Sequence, residues 1–261
     1  MGEKITLEQG VPQGDVLSPY IFNIAVEFLL LKITNTKTIE GVKFARWEYR
    51  AETYADDTTI FIKRSAENLR NLVKIITDFA KISGLQANLE KTSVNPIGGV
   101  FSIEKEDQLC QDLGLKWVRK FTLLGITFDS KLEELQANFD EKILKTKSLM
   151  EKWKRRKLTV SGRVGITKCL LLSNFVYLLT ILDTSSTKIC EELQTLLDGF
   201  IRGDTKKPWA SANYLHSDKA AGGLGFFNIA SFVKGLKLTW MKRYILGTKD
   251  TWTTILDHRF S

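Results

Sequence analysis

Tyr54-Ala55-Asp56-Asp57 runs directly into Thr58-Thr59-Ile60-Phe61-Ile62, and no other stretch constrains the fold as strongly. Thr58, Ile60 and Ile62 alternate with Thr59, Phe61 and Lys63, which predicts a strand with two distinct faces. Residues 47–50 and 52–54 supply an opposing strand, so a short hairpin would carry Asp56 and Asp57 at its tip. A plain turn also explains an Asp pair, because the carboxylate bonds its own backbone. Yet two adjacent ionised carboxylates repel each other and favour a nearby cation. Mg²⁺ suits such a place, since it takes oxygen ligands from one or two carboxylates and from substrate phosphates.

The remainder of the chain narrows the choice. With 261 residues, 43% of them hydrophobic, it is long enough for one large or two ordinary domains with real cores. The net charge of +8 is concentrated: residues 140–168 hold ten basic and three acidic side chains, a local +7. Such a stripe points to a polyanion. Cys110, Cys169 and Cys190 lack paired spacing, which argues against a zinc or disulfide framework and for a reducing compartment. The first residues lack the apolar core of a signal peptide, and Gly2 with Thr6 fits only the loose myristoylation pattern. The longest apolar run, 169–182, is interrupted by Ser173 and Asn174, too short for a bilayer, and reads as a buried helix. An intracellular location, nucleus or cytoplasm, and no membrane partner are expected.

Along the chain, residues 5–9 read as a strand, followed by the loop Gly10-Val11-Pro12-Gln13-Gly14-Asp15. Ser18 as cap and Pro19 at the first helical position open a helix to about Ile33. It is apolar nearly all round and is expected to be buried on most sides. Ser65 caps a second helix with Leu69, Leu72, Val73, Ile76 and Phe79 at helical spacing, ended by Gly84. A turn and short strand carrying Lys91 follow, then short strands and turns over 94–130. From about Lys131 the pattern is helical, over roughly 132–156, 160–182, 187–202 and 229–246. Loops are expected at Ser161-Gly162, at 204–208 and at Gly222-Gly223-Leu224-Gly225. The expectation is an α+β fold in two parts, residues 1–130 mixed and 131–261 all-α.

Four pieces stand in one order: Gly10-Val11-Pro12-Gln13-Gly14-Asp15-Val16-Leu17-Ser18-Pro19, Tyr54-Ala55-Asp56-Asp57, Ser83-Gly84-Leu85…Asn88-Leu89-Glu90-Lys91-Thr92, and Phe121-Thr122-Leu123-Leu124-Gly125. They resemble motifs B, C, D and E of a reverse transcriptase palm, most of all in the non-LTR (LINE-type) retrotransposons. Trp153…Leu158-Thr159-Val160-Ser161-Gly162-Arg163 and Gly222-Gly223-Leu224-Gly225-Phe226 resemble the thumb and post-thumb helices of the same elements. The resemblance implies a partial right-hand palm with an antiparallel sheet at residues 1–130, then a helical thumb and post-thumb. It implies RNA-directed DNA polymerase activity by two-Mg²⁺ nucleotidyl transfer, with RNA template, DNA primer and dNTP as partners. Asp56 and Asp57 match the metal-binding carboxylates, and Lys91 the lysine proposed to protonate leaving pyrophosphate. Lys91 reads equally well as a surface lysine. Gln13, Gly14 and Tyr54 match positions beside nucleotide and template, and Leu124 and Gly125 the primer grip. Lys154, Arg155, Arg156 and Lys157 would hold the nucleic-acid backbone, unless they form a solvated face or a nuclear localisation signal.

The chain departs from the family in one respect that matters chemically. Motif A supplies another metal-binding Asp before motif B, whereas the only acidic residues before Gly14 are Glu3 and Glu8. Val16 also replaces a frequent motif B proline. The expectation is a C-terminal piece of a retrotransposon polymerase without motif A and fingers, its sheet edge left unpaired. By itself it would be inactive, or a nucleic-acid-binding remnant without catalysis.

Overall fold

The computed structural model describes residues 14–44, 47–55, 57–98, 103–184, 187–203, 209–247 and 250–260. The strand expected over 5–9, Gln13, Asp56 and the loop over 204–208 lie outside the described residues. The chain divides into two compact units, residues 1–121 with 258–261, and residues 122–257. Helices and small sheets mix in the first, while the second is helical after an initial hairpin, an α+β fold.

In the first unit, α1 (Ser18–Asn35) has Leu17 at its cap position; Ser18, expected there, is already helical. Pro19 sits in the first turn, where a missing N–H loses no intrahelical bond. At the other end the Arg50 guanidinium donates to the carbonyls of Ile33, Thr34 and Thr36, acceptors a helix terminus leaves open. β1 (Val42–Phe44) pairs antiparallel with β2 (Trp47–Tyr49), and β3 (Ala51–Tyr54) with β4 (Asp57–Ile60). Residues 47–49 therefore do not oppose 58–62 as expected. Their ladder partner is 42–44, reached through a shorter loop at lower cost in chain entropy.

Ser65 caps α2 (Ala66–Ser83) by accepting from the Glu67 and Asn68 amides, and Gly84 ends it. The face with Leu72, Ile75 and Ile76 packs against Ile33, Ile39, Ile60 and Ile62. Buried Asn68 accepts from the Glu40 amide and donates to the Glu40 and Lys63 carbonyls, so its side chain stands in for a neighbouring strand. α1 corrects the expectation of burial: Tyr20 is 65%, Ile24 62% and Phe28 66% exposed. Composition sets the apolar area a helix offers, but the elements reaching it decide how much is covered. Here α2 and β3 reach it, and only Ser18 and Ile33 are buried.

β5 (Ser93–Val94) follows, then α3 (Ile103–Asp112), a helix where only strands and turns were expected. Its polar sequence hides the period. Bonds from Gln108 to Asp112 and Gln111 to Asp107 link successive turns, and Cys110 is buried with Leu69 and Leu115. β6 (Lys116–Trp117) runs parallel to β5. β7 (Lys120–Leu123) pairs with β8 (Ile126–Asp129). Among the described residues the strands thus form four separate two-stranded ladders, one of them parallel, in place of a single antiparallel sheet.

In the second unit, α4 (Ala137–Lys154) starts five residues later than expected. The Asp129 carboxylate accepts from the Lys131 and Glu134 amides, and Leu132 takes a φ of +59°, so the chain turns first. α5 (Val160–Ile166), a π-helical turn (Thr167–Leu172) and α6 (Ser173–Ile181) form one continuous helix. Ser161-Gly162, expected in a loop, lies in the first turn of α5, capped by Thr159. At 22 residues and mean hydropathy 1.7, this helix is long and apolar enough to cross a membrane, which the run 169–182 alone did not show. Leu171, Phe175, Leu178 and Leu179 on it are fully buried at the centre of the unit's core. α4, α7 (Thr187–Arg202), α8 (Ala212–His216) and α9 (Ile229–Ile245) contribute to that core, and α10 (Thr251–Phe260) follows. Lys237 and Trp240 of α9 donate to the Thr180 carbonyl, and Lys237 also to that of Leu182, closing the end of α6. Burial there lowers the lysine's pKa.

Residues 222–226 run beside 214–217, with the amides of Leu224, Gly225 and Phe226 donating to Tyr214, Ser217 and Leu215. Gly223 comes so close to the Ser217 carbonyl that no side chain would fit. That accounts for at least one glycine of the Gly222-Gly223-Leu224-Gly225 motif by packing alone.

Candidate active site

Ala55 adopts a φ of +54°, a conformation that costs an L-residue about 1–2 kcal/mol. The chain bends there and returns as β4, whose first residue is Asp57, paired with Tyr54 across the hairpin. Both side chains are exposed, Tyr54 by 68%. An exposed carboxylate beside a tight bend offers a hard oxygen donor with room for further ligands. That donor suits Mg²⁺, which completes its shell with phosphate and water, and does not suit a closed protein cage. Among the described residues no three His, Cys, Asp or Glu side chains gather as a metal cage.

Gly14 stands exposed in the turn before α1, at φ +92°. Lys91 is exposed in the turn 88–92, its amide held by the backbone and side-chain oxygens of Asn88. It precedes the strand β5 and is not part of it.

In the second unit, Leu124 and Gly125 are the turn between β7 and β8, at φ +48° and +77°. Positive φ at both central positions matches the strand twist of a tight hairpin, which ordinarily selects Asn or Gly there. Leu124 is 43% exposed, and its carbonyl accepts the Tyr177 hydroxyl at 2.7 Å. Lys154 ends α4 and pairs with Glu151 at 2.8 Å. Arg156 lies over the Trp153 ring, 5.0 Å from its centre, and Arg155 and Lys157 are exposed beside them. Cations at this helix end also meet its open carbonyls favourably. Other members of the stripe are engaged within the protein. Lys145 pairs with Glu141, and half-buried Lys168 donates to the Gly225 carbonyl and covers the Phe227 ring. Leu144 of α4 is 70% exposed; Phe139, Ile143, Thr146 and Met150 form the packed face of that helix.

The structure thus pairs Tyr54 with Asp57, makes one turn of Leu124 and Gly125, and groups the four basic residues at the end of α4. Gly14, Asp57 and Lys91 belong to the first unit, the hairpin turn and basic group to the second. Tyr177, bonded to the Leu124 carbonyl, and Asn138, whose side chain accepts from the Thr127 amide and donates to the Thr127 carbonyl, fasten the hairpin; neither carries a sequence signal, because each reaches its partner only once the chain has folded.

Residues 2–128 match the family model for reverse transcriptase (RNA-dependent DNA polymerase). The chain is 23% identical over 218 residues to the RNA-directed DNA polymerase from mobile element jockey of Drosophila funebris, covering 78% of this chain and 22% of that protein. It is 25% identical over 251 residues to the Transposon TX1 uncharacterized 149 kDa protein of Xenopus laevis, covering 95% of this chain and 19% of that one. Over 100 residues it is 30% identical to the Pol polyprotein from type-1 retrotransposable element R2 of Popillia japonica, covering 37% and 14%. The chain spans about a fifth of the length of the first two. Residues 2–128 thus match a reverse transcriptase (RNA-dependent DNA polymerase) domain, and the chain is similar to proteins of the jockey, TX1 and R2 elements, which are non-LTR retrotransposons.

Proposed function

We propose that this chain serves RNA-directed DNA synthesis by a mobile element, as the part of the polymerase that carries one pair of metal-binding carboxylates and the primer-holding hairpin. The observation that carries the reading is the exposed Asp57 at the start of β4, after a strained bend, within the segment that matches the family. Asp56 and Asp57 would hold Mg²⁺. When bound, the metal neutralises phosphate charge and stabilises the attacking and leaving oxygens. Gln13, Gly14 and Tyr54 would lie along the incoming dNTP and template. Lys91, exposed in the turn 88–92, would donate a proton to leaving pyrophosphate. Leu124 and Gly125 would hold the DNA primer, and Lys154, Arg155, Arg156 and Lys157 the phosphates of the RNA–DNA hybrid.

A second reading is binding without catalysis. It is favoured by the basic group at the end of α4, where Arg155 and Lys157 stand exposed beside the Trp153–Arg156 stack and can meet phosphates without a metal. Primer extension on an RNA template with Mg²⁺ separates the two. The 261-residue chain by itself is expected to give no extension above background. Joined to a segment that supplies motif A, it is expected to extend the primer. Asp57→Asn in that joined protein should lower the rate by about 100-fold or more, the usual scale for losing electrostatic stabilisation. An unchanged rate in the Asp57→Asn protein would remove Asp57 from the metal site.

A further inference from the structure

Leucine is a poor choice for the hairpin turn at Leu124. Its φ of +48° is a left-handed conformation that a branched aliphatic side chain adopts only under constraint. The constraint is visible. On the strand side, buried Asn138 of α4 accepts from the Thr127 amide and donates to the Thr127 carbonyl, both at 2.8 Å. The Thr122 and Thr127 hydroxyls meet across the hairpin at 3.1 Å. At the turn itself, the Tyr177 hydroxyl reaches from α6 to the Leu124 carbonyl at 2.7 Å, 53 residues away in sequence. All of these groups lie in the second unit. α6 is set in the unit's core through Phe175, Leu178 and Leu179, so the hydroxyl is a fixed post and the turn is what it restrains.

Two consequences follow from this geometry. Asn138 fixes the register and height of β8, but it acts three residues from Leu124 and leaves the turn free to relax. Tyr177 is the bond that opposes that relaxation. It does so while its own ring stays 41% exposed, so burial alone does not explain its placement. The turn also presents the Leu124 side chain outward, 43% exposed, where it adds little to the core.

We propose that Tyr177 is a positioning residue: its hydroxyl holds the Leu124 carbonyl and keeps the strained hairpin turn presented to the 3′ end of a primer strand. This rests on the reading of Leu124 and Gly125 as primer contacts. A group that holds a strand end must be kept in register to within about 1 Å, which a turn free to flip between conformations does not provide.

The test uses the intact 261-residue chain and two fluorescent RNA–DNA hybrids, one with a recessed DNA 3′ end and one blunt. Tyr177→Phe removes the hydroxyl and keeps the ring. It is expected to weaken binding to the recessed hybrid about threefold to tenfold, the scale of one hydrogen bond, and to leave blunt-hybrid binding unchanged. Amide hydrogen exchange at Gly125 and Ile126 should quicken, while the unfolding midpoint hardly moves. Adding Leu124→Asn, a residue that tolerates this φ, should slow that exchange again, which a purely packing role for Tyr177 would not produce. Equal recessed-hybrid binding by Tyr177→Phe and the unaltered chain overturns the positioning role and leaves the primer-contact reading standing. No preference of the unaltered chain for the recessed hybrid overturns both.

Discussion

Among the described residues only Ala55, Leu124 and Leu132 combine a side chain with positive φ. The first two are the turns that the motifs single out, beside Asp57 and at the hairpin held by Tyr177. Strain of this kind persists where the surroundings over-determine it. Leu132 shows what such determination looks like. The Glu134 amide first, and the Lys131 amide with it, bond the neighbouring Asp129 carboxylate and hold its pKa below the ordinary value. A carboxyl depressed in the folded state contributes stability above its unfolded pKa, about 4, and loses it as pH falls through the folded value. Asp129→Asn keeps one acceptor and loses the charge. It is expected to be less stable than the unaltered chain at pH 7, with the gap closing as pH falls below about 4. Urea unfolding at pH 7 and pH 3 checks this; a gap that widens in acid would contradict it.

At the scale of elements, the helix Val160–Ile181 organises the second unit. Its side chains Leu171, Phe175, Leu178 and Leu179 have essentially no exposure, while α4 contributes Phe139, Ile143 and Met150 from one face. Truncating a buried leucine costs its transfer energy and leaves a cavity. Leu178→Ala is expected to lower unfolding free energy by about 2–5 kcal/mol. Leu144→Ala, on the solvent side of α4, should change it by no more than about 0.5 kcal/mol. Chemical denaturation distinguishes the two, and similar losses would show that the core lies elsewhere. The 3.6-residue period announces such helices, as it does α2 with its Ser65 cap and Gly84 stop. It does not announce α3, whose polar side chains bond one another, nor the exposure of α1, which depends on what packs against it.

For the whole molecule, the charge of +8 and its concentration in residues 140–168 are properties of the chain order alone. Folding then divides the stripe. Lys168 turns inward to the Gly225 carbonyl and Lys145 is paired with Glu141, while Arg155 and Lys157 stay exposed beside the Trp153–Arg156 stack. Lys154, Arg155, Arg156 and Lys157 all changed to Gln should therefore flatten the salt dependence of duplex binding. Each phosphate contact contributes a slope of about −0.9 in log affinity against log salt on B-DNA. Stability should change little, since exposed charges contribute little to it. An unchanged slope with intact binding would assign these residues to a solvated face or a targeting signal. The hairpin around Asp57, the Ser65-capped helix α2, the α+β class and the resemblance to reverse transcriptases were legible in the sequence, because local propensity and residue order carry them. The separation of the strands into two-stranded ladders, the pairing of 47–49 with 42–44, the uncovered α1 and the Tyr177 and Asn138 bonds were decided only by tertiary structure. In each case several partners were possible, near in the chain for 47–49 and 53 residues away for Tyr177, and chain order does not say which of them will arrive.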